Sequence, residues 1–256
     1  MKVAFFIRKD LDQQNTINTI NKFIDFEIDE KNPKFIFCCG GDGTFLDAVT
    51  KYGTEVTYVP INMGTLGFYS SWGPDSLDVM VSDLKKNNLI EALMLEVIVY
   101  EKEKVSHIFH CLNEATLINP VNTQILDVFI NDFEIEKFRG TGICVSTPTG
   151  STAYNKSLGG AIISSRKNLF QLTHIAAINN VKYRNIGNSI ILDEEELLTF
   201  CASEQDFENS VLTIDRTIHN LKGATKVQIK LSNKFIKILV PSDNEFYKRV
   251  RKAFID

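Results

Sequence analysis

The stretch Phe35-Ile-Phe-Cys-Cys-Gly-Gly-Asp-Gly-Thr-Phe-Leu46 could handle phosphate and hydroxyl chemistry. It reads as a strand running into three glycines, with a helix beginning near Thr44. Glycines at 40, 41 and 43 let the backbone turn tightly and approach a ligand closely. N–H groups at the start of the following helix favour an anion such as phosphate. The named phosphate loops do not fit. There is no Gly-Lys-Ser/Thr, and a G-x-G-x-x-G frame begun at Gly41 puts Leu46 at its third glycine. About twenty residues on stands Asn62 rather than an acid. Asp42 sits inside the turn, where a bare pyrophosphate would repel it. A carboxylate there suits a hydroxyl or a metal ion. Facing a hydroxyl, it can take up the proton as that oxygen attacks phosphorus. A purely structural turn, for which Gly and Asp are ordinary residues, is the alternative.

Three further segments carry related chemistry. Asn62-Met-Gly-Thr-Leu-Gly-Phe68 follows a strand-like run and should lie on the same sheet edge as the glycine turn, since ligands bind beyond the carboxyl ends of strands in open α/β sheets. Leu112-Asn-Glu-Ala-Thr116 offers an amide and a carboxyl, Asn113 and Glu114. They point to opposite faces of a strand unless a bulge or strand end intervenes. From Gly140 to Tyr154, the hydroxyl residues Ser146, Thr147, Thr149, Ser151 and Thr152 crowd around Pro148 and Gly150, ahead of a helix expected over 151–164. Such a loop suits a phosphorylated, sugar-bearing ligand, and a helix cap with a polar loop is the alternative. It is no serine-hydrolase elbow, because G-x-S-x-G would need Gly at 149. His107, His110 and Cys111 resemble metal ligands in type, but residues 107 and 110 of a strand face opposite sides, so no metal site is assigned. His174 and His219 look isolated.

These segments need a scaffold, and 256 residues suffice for one large domain or two small ones. Hydrophobic residues at 44% and charged residues at 23% exclude wholesale disorder. The net charge of −4, with no dominant basic stripe, argues against nucleic acid as a partner. Five cysteines without a CxxC read as a reduced, cytoplasmic protein rather than a disulfide framework. No run approaches the ~20 apolar residues of a membrane span. Strand and helix signals alternate up to about residue 93, through runs at 3–7, 35–39 and 56–61 and a helix over 76–86. Beyond that, strand-like runs dominate, with Asn131-Asp132 marking a hairpin. The expected architecture is an α/β domain over 1–93 and a β-rich domain over 94–241. A last helix over 242–256, opened by a Ser242-x-x-Glu245 capping box, would pack back on the first domain. Its basic residues Lys248, Arg249, Arg251 and Lys252 read as a solvated face.

Taken together, GGDGTFL (40–46), NMGTLGF (62–68), LNEAT (112–116), FRGTG (138–142) and STPTGSTAYNKSLGG (146–160) closely resemble the NAD kinase family, in its order and over nearly the whole chain. GGDGT alone is shared with lipid kinases and phosphofructokinases; the Asn-Glu pair followed by TPTGSTAY singles out NAD kinases. The resemblance implies a two-domain fold with the active site in the cleft between the domains. It implies phosphorylation of the 2′-hydroxyl of the adenosine ribose of NAD, giving NADP, with ATP or polyphosphate as donor and Mg²⁺ as the cofactor. Asp42 matches the catalytic aspartate, with Gly43 beside it. Asn113 and Glu114 match residues that hold NAD near its ribose and adenine. Thr149 and Thr152, Ala153, Tyr154, Asn155, Lys156 and Ser157 match the nucleotide loop, with Tyr154 on the adenine. Arg139 matches a basic position at the site, and Thr141 stands where the family usually has Asp. Arg216, after Asp215, replaces a smaller residue or His. Family members are homodimers or homotetramers. A kinase for another hydroxyl and a non-catalytic NAD(P)-binding regulator are the alternatives.

Overall fold

The computed structural model describes residues 1–64, 67–164, 167–242 and 246–256. Thr65 and Leu66 of the second glycine loop, and Glu245 of the expected capping box, lie outside the described residues. The chain divides into two compact units, Met1–Ala92 with Lys234–Asp256, and Leu93–Asn233.

In the first unit, β1 (Lys2–Ile7), α1 (Gln13–Asn21), β2 (Glu27–Ile28), β3 (Phe35–Gly40), α2 (Asp42–Tyr52), β4 (Thr57–Asn62) and α3 (Leu77–Lys85) follow one another. The strands pair in parallel in the order β2-β1-β3-β4. Phe37, Val59, Ile61, Trp72, Leu77 and Met80 form the buried core beside them. Asp12 caps α1 by accepting the Asn15 N–H at 2.9 Å, which satisfies one of the free donors of its first turn. Gly40 is opposite Asn62 in the β3–β4 register. The glycine turn and the loop after β4 therefore share one sheet edge, as the sequence predicts.

The second unit opens with β5 (Leu89–Glu101), whose first residues belong to unit one, and β6 (Lys104–Cys111). There follow β7 (Glu114–Ile118), β8 (Gln124–Ile130), β9 (Phe133–Gly140), β10 (Gly142–Ser146), α4 (Tyr154–Ser157), β11 (Leu169–Ile175), β12 (Ile190–Asp193), β13 (Leu198–Cys201), α5 (Glu204–Phe207), β14 (Val211–Ile214) and β15 (Thr217–Asn220). One antiparallel set runs β12-β11-β10-β7-β14-β15. Another places β13 between β8 and β16 (Lys226–Leu239), with β9 beyond β8. Leu126, Phe138, Val145, Phe170, Leu198 and Phe200 belong to its buried core. The Asn131-Asp132 hairpin is present between β8 and β9, with Asn131 at φ 54°.

Four expectations change. The sequence offers apolar runs at 227–231 and 235–240 as two separate strands, whereas they form one, β16, whose residues 237 and 238 pair in parallel with β4. The chain therefore rejoins the first unit at Lys234 rather than at 242. From there α6 (Phe246–Phe254) stacks Phe254 on Phe68, centroids 5.6 Å apart. Arg249 leaves the solvated face, because its Nη1 donates to Ser71 Oγ at 2.6 Å. The helix expected over 151–164 is only a 3₁₀ turn at Gly150–Thr152 and the four-residue α4. Gly159 adopts φ +85°, and a Cβ at Gly160 would fall 2.2 Å from the Asn155 amide, so the chain leaves helical geometry there.

Candidate active-site residues

In the first unit, Asp42 is the first residue of α2 rather than part of the turn, with Gly41 as N-cap. A carboxylate there is favoured by the positive end of the helix dipole. Its orientation is set from 26 residues away: Oδ2 accepts the Phe68 N–H at 2.8 Å and Oδ1 the Tyr69 N–H at 3.1 Å. The approach depends on Gly67, where a Cβ would lie 2.7 Å from Asp42 Oδ1 and 2.2 Å from Ser70 Oγ. Gly40 is equally tight, a Cβ there falling 2.3 Å from Thr44 Oγ1, so β3 and α2 pack closely. At Gly41 a Cβ would meet nothing within 4 Å. Asp42 and Gly43 are half-buried. Two N–H donors leave part of the carboxylate's acceptor capacity for a ligand hydroxyl.

In the second unit, Leu112 and Asn113 break what reads in sequence as one strand, and β7 begins at Glu114. The cause is Asp215, at φ 48° beyond β14. Its Oδ2 accepts the Leu112 N–H at 2.8 Å, and its Oδ1 accepts the N–H groups of Asn113 at 2.7 Å and Glu114 at 3.3 Å. Asn113 is buried, and Glu114 is partly so. Burial first, and the neighbouring Asp215 second, push the Glu114 carboxyl up to about 8. Its Oε2 is buried without a hydrogen-bond partner. Burial also raises Asp215, while its three N–H donors pull the other way. Glu114 is thus the member of the pair that holds a proton at neutral pH.

The hydroxyl loop is fastened to the same corner. Thr147 Oγ1 and Thr149 Oγ1 both donate to the Leu112 carbonyl, at 2.5 Å and 3.1 Å. A Cβ at Gly150 would fall 2.0 Å from the Asn113 carbonyl oxygen. The structure thus brings Asn113, Glu114 and Thr149 together. Ser146, Thr147 and Ser151 are fully buried and serve the fold rather than an open hydroxyl surface. Asn155 is also fully buried, its Nδ2 donating to the Ser151 carbonyl at 3.2 Å and its Oδ1 accepting the Thr173 hydroxyl at 2.8 Å. α4 is too short to supply the anion-favouring helix end that the sequence suggests. Thr152 is buried, Ala153 and Lys156 are half-buried, and Tyr154 and Ser157 are exposed.

Arg139 and Thr141 stand at the end of β9, beside the 176–189 segment. The Arg139 guanidinium lies 4.4 Å from the Tyr183 ring centroid, and Asn185 Oδ1 accepts the Arg139 N–H at 3.1 Å. Thr141 donates its N–H to the Ile175 carbonyl and is exposed. His174 is not isolated: its Nε2 lies 2.6 Å from Glu136 Oε1, whose Oε2 accepts the Ile186 N–H and so holds this segment. His219 packs on Phe109, centroids 4.2 Å apart. Sequence reasoning omitted Gly67, Asp215, Tyr183 and Asn185 from the candidate set. The only available signal was Asp215 in a tight hairpin position, where Asp tolerates positive φ.

Among the described residues, no group of three or more His, Cys, Asp or Glu is placed to hold a metal ion. No helix is long and apolar enough to cross a membrane.

Comparison with known proteins gives the arrangement a context. A family profile described as ATP-NAD kinase C-terminal domain matches residues 112–229. An NAD kinase of Lactococcus lactis subsp. cremoris is 36% identical over 248 residues, covering 94% of this chain and 91% of that protein. An NAD kinase of Lactobacillus gasseri is 35% identical over 267 residues, covering 100% and 98%. Among solved structures, yeast NADH kinase complexed with NADH aligns with a TM-score of 0.84 at 17% identity, covering 100% of this chain and 88% of that one. An NAD kinase from Archaeoglobus fulgidus in complex with ATP gives 0.79 at 18% identity, covering 98% and 99%. The last two show the shared fold, and the near-complete alignments at more than a third identity establish that this chain belongs to the NAD kinase family.

Proposed function

We propose that this chain transfers a phosphoryl group from ATP or polyphosphate to the 2′-hydroxyl of the adenosine ribose of NAD, giving NADP. The observation that carries the reading is Asp42, fixed at the start of α2 by the Phe68 and Tyr69 N–H groups with acceptor capacity to spare. The 2′-oxygen attacks the terminal phosphorus, a new O–P bond forms, and the bond to the leaving ADP, or to the shortened polyphosphate chain, breaks. The hydroxyl proton passes to Asp42, whose N–H partners keep it aligned throughout. Phosphoryl transfer asks little covalent chemistry of a protein, so positioning does most of the work.

Asn113 and Glu114 are assigned to NAD. With Glu114 neutral, its carboxyl donates a hydrogen bond to a ligand oxygen or ring nitrogen, which a carboxylate could not do. The Tyr154 ring, 44% exposed, is available to stack on adenine. Asn155 acts through the loop it fastens. Arg139, stacked on Tyr183, presents its charge from a fixed position. With no acidic cage among the described residues, the implied Mg²⁺ fits as a companion of the donor phosphates, whose charge it neutralises when bound.

The test is to incubate the purified protein with NAD, Mg²⁺ and either ATP or polyphosphate, and to detect NADP with an NADP-specific dehydrogenase. NADP formation is expected with at least one donor. A folded protein that binds NAD yet makes no NADP with either would shift the assignment to a non-catalytic regulator.

A further inference from the structure

The two N–H groups that hold Asp42 have different supports. Oδ1 accepts the Tyr69 N–H, and the Tyr69 ring stacks on Phe45 with centroids 4.5 Å apart. Phe45 belongs to α2, the helix that carries Asp42 itself. Oδ2 accepts the Phe68 N–H at 2.8 Å, and the Phe68 ring stacks on Phe254 of α6, centroids 5.6 Å apart and planes 25° apart. A second tie from α6 lies three residues on, where Arg249 Nη1 donates to Ser71 Oγ at 2.6 Å. At Trp72 the chain is back on the sheet, its carbonyl accepting the Asn62 N–H at 2.7 Å.

α6 contributes little to the core. Its half-buried residues Phe246, Arg249, Val250, Ala253 and Phe254 recur at spacings of three and one, a single helical stripe. None of its residues is fully buried. Nine residues are too few for a helix to persist alone in water, so the contacts of that stripe keep it in place. Both ties to residues 68–71 leave from the stripe. A backbone N–H goes where its residue goes. Gly67, just before, has no side chain to anchor the chain, so the Phe68 ring and its partner on α6 set where the Phe68 N–H points.

We propose that Phe254 is a positioning residue for the phosphoryl transfer: through the Phe68 ring it aims Oδ2 of Asp42, and the Arg249–Ser71 bond braces the same segment. The inference rests on the reading of Asp42 as the base. A general base works only within hydrogen-bond reach of the proton it takes, and a carboxylate held by the Tyr69 N–H alone is free to swing about that bond. No contact between α6 and substrate is required.

The full chain is compared with Phe254→Ala and Phe254→Tyr by two measurements, amide hydrogen exchange at Phe68 and Tyr69 followed by NMR, and steady-state NADP formation. In Phe254→Ala the Phe68 amide should exchange severalfold faster, the Tyr69 amide less so, and the β3 amides as before. Its kcat should fall roughly tenfold, short of the hundredfold that a 1 Å misplacement costs. KM for NAD should stay within about twofold, because the lost interaction orients the reacting group rather than binding substrate. Phe254→Tyr keeps the ring and should restore both readings. In an Asp42→Asn background Phe254→Ala should cost little more, since the group it aims is already disabled. Ser71→Ala removes only the brace; it should shift the same readings less, and it decides the matter if Phe254→Ala does not fold. An unchanged Phe68 exchange rate, a loss confined to KM, or an equal loss of kcat in the Asp42→Asn background would overturn the proposal. A wild type that makes no NADP would instead overturn the kinase reading, and the exchange rates would still decide whether α6 holds the Asp42 clamp.

Discussion

Asp42 in the first unit and Asp215 in the second are held by the same device, a carboxylate grasped by backbone N–H groups remote in sequence. The difference is how much of each is used. Asp42 takes two N–H groups and sits at a helix start, with capacity left for a substrate hydroxyl. Asp215 takes three, and with them shapes the chain break that presents Asn113 and Glu114. A carboxylate with acceptor sites left over can do chemistry, whereas one whose neighbours fill it builds the scaffold for others. Removing each should therefore separate activity from stability.

The largest effect is expected at Asp42. Asp42→Asn should lower the rate of NADP formation by about 10²–10⁴-fold, the usual contribution of a positioned base. Asn keeps one acceptor oxygen but turns its NH₂ toward an N–H, so a modest stability loss of about 1 kcal/mol accompanies it. A kinetic assay beside a denaturation curve checks both. A variant that unfolds, or one that keeps its rate, breaks the comparison.

Asp215→Ala should show the opposite balance. Three backbone N–H groups lose their partner, and even with partial solvation the cost is about 3 kcal/mol or more. For a protein of this size that lowers Tm by roughly 10 °C. Binding of NAD should weaken with it, because Leu112 and Asn113 lose the contact that interrupts the strand. Thermal unfolding and NAD titration of the same sample make the measurement. Full stability in this variant would show that the strand break holds without Asp215.

The same contrast explains what could be read from the chain alone. The parallel unit was legible because its apolar runs and helical spacings are local, and the shared edge of Gly40 and Asn62 follows from strand direction. Asp42 stands out in the sequence as a candidate because an acid among glycines is a poor neighbour for bare phosphate. Its clamp was not, since nothing in residues 40–46 announces a contact 26 residues on. The strand break at Leu112–Asn113 was hidden because its cause lies about a hundred residues away, at Asp215. The short α4 was hidden for a packing reason, the close approach of Gly160 to Asn155, which no helix periodicity encodes.

Glu114 sharpens the comparison through pH. Its folded carboxyl, at about 8, lies above its ordinary value of 4.5. Below 4.5 the group is protonated in both states and contributes no pH dependence. Between 4.5 and about 8 the unfolded chain has lost the proton and the folded chain keeps it, so stability falls as pH rises. The slope is at most about 1.4 kcal/mol per pH unit. Glu114→Gln, which mimics the neutral acid, removes this contribution. The wild type should therefore lose stability relative to the variant as pH is raised from 5 to 8. Parallel stability–pH curves for the two proteins would show that Glu114 is ionised in the folded state.

The smallest effect is expected at Tyr154, which tests whether an exposed residue of the hydroxyl loop carries binding while its buried neighbours carry structure. The ring is 44% exposed, whereas Ser151 and Asn155 on either side are fully buried. Tyr154→Ala should leave Tm unchanged within a degree or two, because little packing is lost. If the ring stacks on adenine, nucleotide affinity should drop by about 1 kcal/mol, several-fold in KM, with kcat nearly constant, since stacking holds ground and transition states alike. Asn155→Ala is the matched control. It strips two hydrogen-bonded ends from a buried amide, so it should lower Tm first and affinity only as the loop loosens. If the two variants behaved alike, exposure along this loop would not divide ligand contact from support, and Tyr154 would belong with the scaffold.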